Sequence, residues 1–239
     1  MTAHDDQPVP RETRTTRERL IDSAVRLFGQ RGIEGTSLRA LTEAARTNIA
    51  AVNYHFGSKD GLLRAVIEQT MQAVNDERRR RLDELESEPQ PPSAAALVRA
   101  FVEPGTGLVA EHGPNGPDVA RFIGRMIGEP DPKVRQIFAD QVDAVEGRYL
   151  TALGRALPGL DEEGVRFAYT SMLGLLSLHQ SGAFATVEWP QRQTSRPEGD
   201  RSGTADRERL IAFITGGILA AATAETATSA REEARRASR

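Results

Sequence analysis

Apolar residues recur at helical spacing through most of the chain. Leu20, Ala24, Leu27 and Phe28 form one stripe, with Arg17, Arg19 and Arg26 outside it. That spacing predicts a first helix from about Arg14 to Gln30. Gly32 and Gly35 then punctuate a turn. Thr36 and Ser37 stand where their hydroxyls can cap a second helix, Leu38 to Ala45. Arg46-Thr47-Asn48 is a short break, and Asn48 is a good cap for a third helix, Ile49 to Tyr54. Gly57-Ser58 closes that unit. Ser58 caps a long fourth helix that carries Leu62, Leu63, Val66, Ile67, Thr70, Met71 and Val74 and is expected to reach Ser87.

Pro89, Pro91 and Pro92 mark a boundary. Beyond them the pattern predicts helices near 93–111, 117–128, 132–157, 161–184 and 205–230, with Pro104 and Gly105 kinking or splitting the first of these. No run shows strand alternation, so the fold class is all-α. Residues 1–12 and 231–239 read as polar tails, and 185–204, rich in Pro, Gly, Arg, Ser and Gln, as a loop. The division that follows is a three-helix unit over 13–60 and a larger helical domain over 61–230.

The most apolar run, Leu210 to Ala222, spans 13 residues, short of the roughly 20 that a membrane span needs. A buried helix is the expectation there. The first ten residues carry Asp5, Asp6 and two prolines with no apolar core, so no secretory signal is expected and the chain reads as cytoplasmic.

Charge changes the picture. The net charge of −3 over 239 residues argues against a nucleic-acid partner if it is spread evenly. It is not. Residues 11–64 hold ten basic and six acidic side chains, net +4, and the remainder holds 21 basic and 28 acidic, net −7. The positive segment is the one with the short helices, an electrostatic footprint for phosphate contacts. With no cysteine, a thiol nucleophile, a disulfide scaffold and a thiolate metal site are excluded. His4, His55, His112 and His179 are not paired on one helix, so no metal or cofactor is expected. Asp140, Asp143 and Glu146 read as a wet helix face, as do the arginines 78–81, which have acids at ion-pairing spacing. Without a nucleophile elbow or a phosphate-binding glycine loop, no enzyme chemistry is indicated.

Two short helices joined by a tight turn match a helix-turn-helix, whose second helix enters the major groove. Ala50 and Ala51 are small enough for close approach to base edges, and Val52 can anchor the helix inward. Asn48 and Asn53 can donate and accept, and Asn pairs bidentately with adenine. Tyr54, His55 and Lys59 supply donors where phosphates would lie.

The stretch Thr36-Ser-Leu-Arg-Ala-Leu-Thr-Glu-Ala-Ala45, followed by Ile49-Ala-Ala-Val-Asn-Tyr-His-Phe-Gly-Ser-Lys59, resembles the DNA-binding domain of the TetR family of transcriptional repressors. The preceding Leu27-Phe-Gly-Gln-Arg-Gly-Ile-Glu-Gly-Thr36 is similar to that family's first helix and turn, and the likeness covers about residues 14–70. It implies a base-reading face of Asn48, Ile49, Ala50, Ala51 and Asn53. It implies phosphate contacts from Tyr54, His55 and Lys59, from Thr36 and Ser37 at the second helix, and a base or phosphate contact from Arg39. The family usually has Gly-Val-Ser or similar in the turn. Here Arg46-Thr47-Asn48 replaces it, so Arg46 must take the conformation that glycine adopts easily.

The resemblance also implies a double-stranded DNA operator of pseudo-palindromic sequence and a homodimer through helices 161–184 and 205–230. It implies repression relieved by a small hydrophobic effector in a C-terminal cavity. Phe101, Leu108, Phe122, Met126, Phe138, Tyr149, Met172 and His179 are the residues expected to line it, core packing being the alternative for each. The fourth helix is the expected transmitter, since it runs from Lys59 into the effector domain. Two other readings stay open: a helical ligand-binding protein or enzyme without sequence-specific DNA binding, and a transcriptional activator on the same fold.

Overall fold

The computed structural model describes residues 14–180 and 202–237. Within them nine α-helices follow one another: α1 (Thr16–Arg31), α2 (Leu38–Ala44), α3 (Ile49–Phe56), α4 (Lys59–Ser87), α5 (Ala94–Glu111), α6 (Gly116–Ile127), α7 (Pro132–Ala156), α8 (Glu162–Gln180) and α9 (Ser202–Ala237). Among the described residues there is no strand.

The short helices begin where the chain offers caps. Thr15 and Glu18 form a reciprocal capping box on α1, and the side chains of Ser37, Asn48 and Ser58 accept from Ala40, Ala51 and Gly61 respectively. The end of α2 is closed differently. The Arg46 N–H donates to the Glu43 carbonyl at 3.2 Å and the Thr47 N–H to the Thr42 carbonyl at 2.9 Å. Arg46 itself sits at φ 52°. This is the Schellman closure that glycine ordinarily makes. A Cβ in that conformation costs roughly 1–2 kcal/mol. Arg46→Gly is therefore expected to stabilise the protein by about 1 kcal/mol, raising the melting temperature by roughly 2–4 °C for a chain of this size. Thermal unfolding by circular dichroism measures it.

Two apolar cores form. The first joins Leu20, Phe28, Leu41, Val52, Leu63 and Ile67 to Phe122, Met126 and Ile137, so α6 and the start of α7 pack into the N-terminal unit. The rings of Phe28 and Phe122 stack at 6.2 Å. Gly29 allows the approach, because a Cβ there would lie 3.0 Å from the Asp118 carbonyl oxygen. The second core joins Leu82, Phe101, Tyr149, Leu153, Met172, Leu176 and Ile214 from α4, α5, α7, α8 and α9. α4 passes through both.

Several boundaries differ from the sequence expectation. α5 is one continuous helix with Pro104 inside it, not two pieces. α9 runs to Ala237, so 231–237 are helical rather than tail; its alanines and its closing Glu and Arg residues are strong helix formers. The 1–12 tail and nearly all of the 185–204 loop lie outside the described residues, and 202–204 belong to α9.

The apolar run of α9 is not buried all round. Ile211, Ile214 and Ile218 are buried, whereas Phe213 is 70% exposed and Leu219 46%. By length and composition the Thr204–Ala227 stretch could cross a membrane, with 17% of its most apolar window buried. On α8, Phe167 is 68% exposed. In each helix the face toward the second core is covered and the opposite one is open.

Candidate nucleic-acid interface

α3 stands on a single buried pivot. Val52 is fully buried, while Ile49, Ala50, Asn53, Tyr54 and His55 are exposed and Ala51 is half-buried. Tyr54 is 85% exposed, unusual for an aromatic side chain, and its ring meets His55 edge-on at 5.0 Å. The exposed residues of α3 thus include amide and ring donors side by side and the small Ala50, on a helix narrow enough for a major groove. The Asn48 Oδ1 accepts from the Ala51 N–H at 3.0 Å. That carboxamide oxygen is committed to capping, which leaves Asn48 its N–H₂ as a donor toward a ligand.

α2 contributes Ser37 and Arg39, both exposed. Arg39 is held by Glu43 at 2.9 Å, a surface pair that raises the guanidinium pKa further through that hydrogen bond. Such a pair is weak enough to exchange for a phosphate.

Two of the expected contacts are placed otherwise. Thr36 is fully buried, and its hydroxyl donates to the Gly32 carbonyl at 2.7 Å and approaches that of Leu27 at 3.3 Å. It closes the end of α1 and is neither a cap for α2 nor open to a phosphate. Lys59 is partly buried, its Nζ donating to the Ile33 carbonyl at 2.5 Å, and burial lowers its pKa. It ties the start of α4 to the α1–α2 turn, which orients the helix-turn-helix and uses one of the three donors of the ammonium. A Lys at a helix start is visible in the sequence. That the preceding turn brings an orphan carbonyl within its reach is not.

Arg17 carries no signal in the sequence beyond its charge. It is exposed, with its guanidinium carbon 5.6 Å from the Phe56 ring centroid at the end of α3. Together with Arg46 in the turn it flanks α3 with positive charge.

The residues expected to line a C-terminal cavity divide between the cores. Phe122, Met126 and Phe138 pack with the N-terminal unit, and Phe101, Tyr149 and Met172 with the second core. His179 is half-buried at the end of α8, and the side chain of Leu108 lies outside the described ones. Among the described residues the set is thus split by α6, whose Phe122 and Met126 pack toward α1. An open groove of about 740 Å³ runs along Glu86, Pro89, Pro91, Arg148, Thr151 and Arg155, and none of the seven described residues of the set lines it. What the second core does assemble is an aromatic set: Phe101 meets Tyr149 at 5.0 Å and Tyr169 at 5.4 Å, both edge-on.

The arginine run also departs from expectation. Arg79, Arg80 and Arg81 make ion pairs with Asp76, Glu77, Glu84 and Glu103. Arg78 is 5% exposed in the second core. Of the acidic trio, Asp140 pairs with Arg64 at 3.1 Å, while Glu146 is half-buried and its carboxyl pKa is raised by desolvation and by Asp143.

A helix-turn-helix with a short exposed third helix, carried on a separate helical domain, places the chain among DNA-binding helix-turn-helix proteins by fold. Residues 20–66 match the bacterial regulatory proteins of the tetR family, and residues 99–217 match the tetracyclin repressor-like C-terminal domain. The chain belongs to the TetR family. It is 38% identical over 55 residues to the probable HTH-type transcriptional regulator YttP of Bacillus subtilis, a match covering 23% of this chain and 27% of that protein. The chain thus matches about a quarter of that relative's length. Among solved structures it resembles the regulator FadR of Bacillus subtilis in complex with stearoyl-CoA, with TM-score 0.55 and 14% identity over 84% of this chain and 98% of that one. It also resembles AibR in complex with isovaleryl coenzyme A and operator DNA, with TM-score 0.52 and 19% identity over 83% and 97%. At these identities the two structures show the shared fold.

Proposed function

We propose that the protein is a ligand-responsive transcriptional repressor that binds a pseudo-palindromic operator as a homodimer. The observation that carries this reading is the exposed Asn53-Tyr54-His55 face on the buried Val52 pivot. A tyrosine 85% open to solvent beside two small alanines has no role in either apolar core of the chain. Base-edge reading by Asn53 and phosphate contacts from Tyr54, His55, Ser37, Arg39, Arg17 and Arg46 supply it with one.

The open apolar faces of α8 and α9 supply the second half of the reading. Phe167, Leu178, Phe213 and Leu219 are exposed large apolar residues, and nothing lies within 4 Å of a Cβ built at Gly216 or Gly217. A second copy packed on that surface would form a four-helix, two-fold interface. It would set two α3 helices on successive major grooves, about 34–36 Å apart.

Two helices connect effector domain to DNA. α4 passes through both cores. α6 packs on α1 through Phe28 and Phe122, and its Gly124 carbonyl accepts from Ser177 of α8 at 2.9 Å. A ligand favouring a second arrangement of α8 and α4 would shift α3 through these contacts. FadR and AibR were solved with acyl-coenzyme A compounds, which supports a small-molecule effector here.

Gel retardation on a fragment pool from the source genome tests the reading. Specific bands that survive excess unrelated duplex, with two chains per duplex, are the expected result. Bands abolished by that competitor would refute it. Once an effector is in hand, it and the operator must weaken each other by the same factor.

A further inference from the structure

Arg78 and Asn75 lie one turn apart on the buried face of α4, and each is 5% exposed. The Arg78 Nε donates to the Phe101 carbonyl at 3.0 Å, and its guanidinium carbon lies 3.7 Å from the centroid of the Phe101 ring. The charged or titratable groups facing it are the phenols of Tyr149 and Tyr169, and among the described residues it has no carboxylate partner. The Tyr149 hydroxyl donates to the Arg78 backbone carbonyl at 3.0 Å, so it holds the helix rather than the charge. Burial pulls the Arg78 pKa down to about 10, which leaves it a cation at neutral pH. One turn away, the buried Asn75 Oδ1 has no hydrogen-bond donor among the described residues.

A buried cation without a counter-ion is unfavourable, and a buried amide oxygen without a donor adds to the cost. A ring face and one carbonyl offset the charge only in part. Both groups belong to the effector domain, on the helix that reaches the DNA-binding unit. We infer that Arg78 and Asn75 form the polar anchor of the effector site, and that the effector is an amphipathic monocarboxylate. Its carboxylate pairs with the Arg78 guanidinium, a donor group serves Asn75, and its apolar body lies among Phe101, Tyr169, Met172 and Leu176. This rests on the effector-domain reading above and names its ligand class. A single guanidinium matches a single negative charge. A phosphate dianion would leave excess charge in the core.

Access requires movement. A Cβ at Gly105 would lie 2.8 Å from Leu176 and 3.2 Å from the Arg78 guanidinium, so α5 closes tightly over the anchor. Pro104, next to it, has no N–H for the Ala100 carbonyl, which weakens α5 at that point. A carboxylate entering there displaces the Phe101 ring and selects an opened arrangement of α5 against α4, the differential binding that a switch needs.

The test compares octanoate, octanol and octylamine, which share an apolar chain and differ in the head group. Each is titrated into the full-length protein by calorimetry and thermal shift. Octanoate is expected to bind at least about tenfold more tightly than octanol, with octylamine weakest. Arg78→Met removes the preference, bringing the ratio to about one, and Arg78→Lys, which keeps the charge without the fork, gives an intermediate ratio. If Arg78→Met does not fold, the Arg78→Lys ratio and the wild-type ranking decide. Octanoate binding no more tightly than octanol, the absence of binding by both included, overturns the inference. So does a tenfold preference that persists in either variant. Operator retardation is read on the same samples without probe, so failure of the DNA-binding reading registers separately.

Discussion

Asn53→Ala combined with Tyr54→Ala lowers affinity for a selected operator by about a hundredfold, because each groove or phosphate interaction removed contributes roughly 1–3 kcal/mol. The melting temperature stays within about 2 °C of the parent, because surface truncations away from the core have small effects. Asn53 and Tyr54 are exposed, and α3 is anchored to the core through Val52. The effect is therefore on binding and not on folding. Fluorescence anisotropy at fixed salt with a labelled duplex measures the first, and circular dichroism the second. An affinity unchanged by the double substitution would place the DNA-binding surface elsewhere on the chain.

Phe167→Asp with Phe213→Asp yields a monomer and reduces operator affinity by on the order of a thousandfold, through loss of the second half-site. The two rings are 68% and 70% exposed on α8 and α9. Burying each would contribute about 1.5–3 kcal/mol. In a two-fold dimer each counts twice. Carboxylates in their place meet across the axis and repel. Because the rings lie outside the second core, the monomer should keep its helical signal. Sedimentation velocity reads the mass and anisotropy the affinity. A dimer that persists with both aspartates in place would move the interface off these helices.

How much is legible in the sequence depends on whether a residue acts through its neighbours along the chain or through distant ones. Ser37, Asn48 and Ser58 cap helices within three residues of themselves, so their positions in the sequence are enough. The demand on Arg46 is legible through the resemblance, which places a glycine-type turn at Arg46-Thr47-Asn48, and Arg46 takes φ 52°. Thr36 misleads, and the tether made by Lys59 goes unseen, because their partners, the carbonyls of Leu27, Gly32 and Ile33, are supplied by the end of α1 and the turn that follows it. A hydroxyl or an ammonium near a helix start reads the same in sequence whether it faces solvent or an orphan carbonyl.

The arginine run shows the limit most clearly. Arg79, Arg80 and Arg81 have acids at helical spacing and use them. Arg78 shares their composition and differs only in which side of α4 faces the second core, a matter settled by the packing of α5 and α7. The set Phe101, Phe122, Tyr149 and Met172 is recognisable as buried, but its division between two cores follows from α6 lying on α1, which no local pattern encodes.

The most direct test of sequence-specific, dimeric DNA binding is selection of bound duplexes from a random pool by the full-length protein. The expected result is enrichment of a pseudo-palindrome with half-sites one helical turn, about 10 base pairs, or a multiple of it apart, retained by two chains and lost with Asn53→Ala and Tyr54→Ala. No enrichment over the starting pool, or an unpaired sequence bound equally by the doubly substituted protein, would contradict it.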